Sequence, residues 1–174
     1  MGDRPKGSEV TDRTIVVPLA TIEGVHLASL VDEFLDLLRA GVLGAAADPA
    51  FERLVPSPYP DDEAAGREFA DAMRDELLDR RAADAAIVRS GLDGFVRHDD
   101  VPEDEALRSR DVLIADGQID AWLRTLNALR LVIATRLGII DEDRHDEDDP
   151  RFGVYDWLGF RLDGIIQAAD AQLP

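Results

Sequence analysis

Cysteine is missing from this 174-residue chain. With it go disulfides, thiolate nucleophiles, Cys-ligated zinc, iron–sulfur clusters and thiol redox switches. Lysine is nearly missing: Lys6 stands alone beside eighteen arginines, and nineteen basic residues face thirty-seven acidic ones for a formal charge of −18. Such a charge argues against direct nucleic-acid binding, whose affinity rests on neutralising phosphates. No apolar run approaches the roughly 18–20 residues of a membrane span. The opening residues MGDRPKGSEV also lack a signal peptide's apolar core. The expectation is a cytoplasmic protein with no membrane partner. The dinucleotide, P-loop, zinc-protease and nucleophile-elbow signatures are absent, so no linear motif implies a cofactor, a metal or a catalytic residue.

What is there is helical patterning. Apolar residues make up 45% of the chain, enough for a sizeable core in a single domain. Residues 1–13 are polar and read as a disordered lead, which leaves 14–174 as one helical domain. Thr14–Leu19 is short and β-branched, and Pro18 demotes it to an edge strand. Thr21 then reads as the N-cap of a helix to about Arg39, with Leu27, Val31, Phe34 and Leu38 on its apolar face and Gly41 past its end. Asp48-Pro49 starts one or two turns over Ala50–Leu54. Pro56, Pro58 and Pro60 keep the following chain extended.

Asp61 or Asp62 caps the longest helix, which runs to about Ser90 with Phe69, Met73 and Leu77 leading its stripe. Residues 91–110 read as a loop. Asp111–Ala115 is a second short strand, the natural partner of Ile15–Val17. The helix from about Gln118 to Leu137 is apolar nearly all round and belongs at a bundle centre. Its main stripe is Ile119, Leu123, Leu126, Ile133 and Leu137, and it ends at Gly138. The segment 141–149 carries seven acids and one arginine, and Pro150 opens a last helix through Tyr155, Leu158, Leu162 and Ile165. The predicted fold is mainly α, a four- to five-helix bundle with a small two-stranded β-pair at one edge.

Candidate chemistry is sparse. His26, His98 and His145 lie in separate segments, none with a second histidine at helical spacing. The acidic run fails as a calcium loop, because a glycine is needed sixth and a glutamate twelfth, where Asp146 and Phe152 stand. Gly41–Gly44 has the spacing of a nucleic-acid clamp but follows a helix and reads as its cap. Asp99 and Asp100 beside His98 read as a solvated loop.

The C-terminal third is more specific. Ala121-Trp122-Leu123-Arg124-Thr125-Leu126-Asn127-Ala128-Leu129-Arg130-Leu131, then Thr135-Arg136-Leu137-Gly138-Ile139, an acidic spacer, and Val154-Tyr155-Asp156-Trp157-Leu158-Gly159 form one pattern. It resembles an actinobacterial family long known only as a domain of unknown function and now called oxidative stress regulator AosR. The resemblance extends in element order over residues 14–170, and the Arg-rich, Lys-poor composition agrees with an actinobacterial origin. It implies a regulator of the oxidative-stress response and brings no catalytic residues. Thiol sensing by this chain is excluded by composition.

These readings lead to a non-enzymatic regulatory protein acting on a protein partner. A DNA-contacting transcription regulator and an enzyme without a linear motif are the alternatives, and a homo-oligomer is compatible with all three. One polar cluster stands out: Trp122, Asn127, Arg130, Tyr155, Asp156 and Trp157. Arg130 falls in register with the apolar stripe of its helix, and a buried arginine needs partners. Asp156 is the first expected carboxylate and Glu33 the second. The same residues could form the polar floor of a pocket flanked by Trp122, Tyr155 and Trp157.

Overall fold

Strict alternation shapes the first element of the computed structural model, which describes residues 13–42, 48–55, 63–95, 103–139 and 149–172. In β1 (Thr14–Ala20), Ile15, Val17 and Leu19 are buried while Val16 and Pro18 face out. β2 (Ser109–Ala115) pairs with it antiparallel, Thr14 opposite Ala115 and Ile15 opposite Ile114, and buries Val112 and Ile114 on the same side. Pro18 is tolerated because, among the described residues, the sheet has just these two strands and each is an edge. The fold is otherwise helical: α1 (Thr21–Val42), α2 (Ala50–Leu54), α3 (Glu63–Gly91), α4 (Glu103–Ala106), α5 (Asp116–Leu137) and α6 (Gly153–Asp170), with a 3-10 turn at Pro150–Phe152 before the last. A bundle with a small β-pair is therefore what the sequence folds into.

The helix ends differ from expectation in instructive ways. Thr21 is not the N-cap of α1 but its first residue, because its amide and hydroxyl both donate to the Arg108 carbonyl at 3.0 Å. The capping oxygen comes instead from Glu23, whose Oε2 accepts from the Ala20 amide at 2.8 Å. Gly41 lies inside α1, not beyond it, and its lack of a side chain is what admits the Phe51 ring of α2, with which a Cβ there would collide. Gly91 likewise closes α3 rather than following it. Asp48 does act as expected, Oδ1 accepting from the Ala50 amide at 2.9 Å, and Gly138 ends α5 in the left-handed conformation at φ 72°. Within 91–110 the chain buries Leu92 and Phe95 and forms α4, so that stretch is more structured than a bare loop.

α5 sits at the centre, touching α1, α2, α3, α6 and β2. Its buried set is Ala121, Trp122, Thr125, Leu126, Ala128, Leu129, Val132 and Ala134. The expected stripe is thus only partly right: Ile119, Leu123, Ile133 and Leu137 are half-buried. In α3 the inward residues are Leu78, Ala85 and Val88, with Met73 and Leu77 half-buried. Residues 1–12, the proline run, Asp61, Asp62, His98 to Asp100 and the acidic segment 141–148 lie outside the described residues. Among the described residues no helix is long and apolar enough to cross a membrane.

Candidate functional site

The expected cluster divides into three. Trp122 is 2% exposed and packs over Gly91 of α3, so it belongs to the core. Trp157 turns toward α1, where its Nε1 donates to Glu23 Oε1 at 2.8 Å and its ring meets His26 edge-on. Neither tryptophan is in the lining of the cavity that Tyr155 helps to form. The residues that do come together are Asn127, Arg130 and Tyr155, which line a cavity of about 120 Å³ with Arg53, Leu131, Ala134 and Ile139. Asp156 is half-buried on α6. Glu33 lines a separate hollow with Arg136 on the α1 side of α5.

Arg130 is half-buried rather than wholly inside the core, and its guanidinium carbon lies 4.2 Å from the centre of the Tyr155 ring. A guanidinium over an aromatic face gains from the ring quadrupole. Gly159 makes room for it, because a Cβ there would come to 3.3 Å from that carbon. Arg130 and Asn127 then continue from the cavity onto an open groove of about 520 Å³ between α5 and α6. Leu123, Arg124, Gly159, Leu162, Asp163 and Ile166 complete its lining. Asn127 is exposed, and Ile166 is 43% exposed. The groove combines apolar side chains with two arginines and one aspartate, a mixture suited to holding an amphipathic segment.

A second polar centre escaped the sequence reading. Glu23 accepts from Ala20, from Trp157 and from Arg161, and Arg161 also donates to the Pro18 carbonyl at 3.2 Å. Burial pushes the Glu23 carboxyl up, but the bonds from Arg161, Trp157 and Ala20 outweigh it and hold the pKa below its ordinary value. This cluster joins β1, α1 and α6. Only the acidic residue three positions into a helix hints at it in the sequence.

The model of one protein family, Domain of unknown function (DUF2017), matches residues 5–169. The chain belongs to the DUF2017 family. No curated protein and no solved structure matches it. The DUF2017 match spans every element that builds the groove, from β1 to all but the last residue of α6. Among the described residues no group of three or more histidine, aspartate or glutamate side chains could hold a metal ion.

Proposed function

We propose that this DUF2017 chain is a non-enzymatic regulatory protein of an actinobacterial oxidative-stress response, of the AosR type, and that it acts by holding a segment of another protein in the α5–α6 groove. The observation that carries the reading is a convergence. Leu123, Arg124, Asn127, Arg130 and Gly159, all from the two motifs that carry the family resemblance, line one open groove. Motif residues that only packed the core would not meet at the surface. The groove's Leu123, Leu162 and Ile166 suit an apolar anchor, and Asn127 and Arg130 supply polar groups beside that anchor.

Direct DNA contact is the weaker reading because several of the exposed arginines are paired with acids of the same chain. Arg80 pairs with Glu76, Arg89 with Asp32 and Asp93, and Arg124 with Asp84. Ile166→Asp tests the proposal, since it places a charge in the groove at a half-exposed position and spares the core. A deletion strain of the source organism should survive peroxide when complemented with the wild-type gene and fail with Ile166→Asp, at equal protein level and unchanged melting temperature. Full rescue by the variant would overturn the groove assignment.

A further inference from the structure

The two edges of the β-pair are finished differently. At one end of the ladder the Asp116 amide donates to the Arg13 carbonyl, and at the other the Thr21 amide donates to the Arg108 carbonyl. Those bonds fix its phase, because residues of an antiparallel strand turn their N–H and C=O alternately toward the partner and away from it. In β1 the outward set is Thr14, Val16, Pro18 and Ala20, and in β2 it is Ser109, Asp111, Leu113 and Ala115.

The β1 edge is closed. Gln172 donates to the Thr14 carbonyl at 2.9 Å, Arg161 donates to the Pro18 carbonyl at 3.2 Å, Glu23 accepts from the Ala20 amide at 2.8 Å, and Pro18 has no amide to offer. The β2 edge is open. The Ala115 amide is taken by the Gln118 side chain at 3.3 Å, but among the described residues nothing bonds the outward amides and carbonyls of Asp111 and Leu113. Leu113 is 63% exposed, and beside it in register Val16 is 50% exposed. Native proteins block or cover such an edge, since it is a template for another strand.

Charge selects the strand that fits. The whole chain carries −18, yet along β2 and its two flanks Arg108 and Arg110 balance Asp111 and Asp116. Arg110 and Asp116 are exposed, and among the described residues neither has an ion-pair partner. Arg110 donates to the Gly94 carbonyl at 2.5 Å, which leaves its other N–H groups for a carboxylate. We infer that a second copy of this chain pairs with the first along β2, antiparallel, with Leu113 on the two-fold axis. That register sets leucine on leucine and extends the row with a Val16 on each side, so one apolar stripe crosses a four-stranded sheet. It also brings Arg110 opposite Asp116 of the second copy, twice by symmetry, and unlike charges directly opposite stabilise a strand pair. Centring on Asp111 would set two aspartates face to face, and centring on Val112 would set each Asp111 against a leucine. None of these residues lines the α5–α6 groove, so the inference does not rest on the regulatory reading.

Sedimentation velocity of the full chain, from about 1 to 500 μM at physiological salt, should show reversible exchange between monomer and dimer. Leu113→Lys should weaken the dimer at least about tenfold with an unchanged melting temperature, although it lowers the net negative charge. Arg110→Asp should weaken it several-fold, and adding Asp116→Arg should recover it, because the pair is restored with its signs exchanged. A change that merely disturbed the fold would not be rescued in this way. Should the charge variants fail to fold, a cysteine carries the test in this cysteine-free chain. Residues directly opposite in a hydrogen-bonded pair lie about 5.5 Å apart, within disulfide range. Leu113→Cys should therefore form a linked dimer under mild oxidation at least about tenfold faster than Arg80→Cys on α3. A monomer across the whole range, the edge then being open to a strand from another protein, would overturn the inference. So would a dimer that Leu113→Lys leaves as tight, a folded double variant without recovery, or equal linking from the two cysteines.

Discussion

Glu23 shows how much one side chain can hold together. Its carboxylate fastens the start of α1, the Trp157 indole and the Arg161 guanidinium, so three elements meet on two oxygens. Glu23→Ala should cost about 2 kcal/mol, the scale of hydrogen bonds to a charged group, read from thermal unfolding at pH 7. The pH dependence follows from its depressed pKa. The contribution is complete above the ordinary value of 4.5 and is lost as pH falls through the lower folded value. The wild-type advantage over Glu23→Ala should therefore shrink on acidification below about 4.5 and stay constant above it. Little of this was legible in the sequence, because Trp157 and Arg161 lie more than 130 residues from Glu23 along the chain. Arg130 was half legible. Its helical spacing placed it inward, but the periodicity could not show that Gly159 leaves it room to lie on Tyr155 at the surface edge of the core.

Elements were read more securely than their faces. Capping chemistry and β-branched runs located both strands and the five longer segments to within a few residues. The burial pattern of α5 was missed because the helix has neighbours on several sides. Small residues such as Ala121, Ala128 and Ala134 go inward where those neighbours come close, while the larger Ile119 and Leu123 remain half-buried. α2 illustrates how a five-residue helix persists. Asp48 caps it and also accepts two hydrogen bonds from Arg136 of α5, and the Ala50 amide and Arg136 hold its carboxyl below the ordinary pKa. Asp48→Ala removes cap and tether together and should lower stability by about 1–2 kcal/mol. The same change should raise amide exchange across α2 before it is raised in α5. Equal exchange in both helices would show that α2 does not depend on this cap.

At the scale of the whole molecule, charge and composition set the outer limits. A formal charge of −18, with Arg80, Arg89 and Arg124 tied to neighbouring carboxylates, predicts no retardation of duplex DNA at micromolar protein and physiological salt. A salt-sensitive shift in a mobility assay would instead reveal a segregated basic face and restore the DNA-contacting alternative. The candidate site was legible to the extent that it follows helical spacing: Asn127, Arg130 and Tyr155 do converge. Trp122 and Trp157 did not join them, because each aromatic found a nearer neighbour, α3 for one and the Glu23 carboxylate for the other. The regulatory role proposed for this chain depends on a partner docking in the groove between α5 and α6. Its most direct test is a photo-crosslinking amino acid at the exposed position 127, introduced in the source organism, with Asp36 of α1 as the comparison position. Docking in the groove predicts one dominant crosslinked protein from position 127, absent from position 36 and lost when Ile166→Asp is added. Equal crosslinking from both positions, or a crosslink that survives Ile166→Asp, would contradict it.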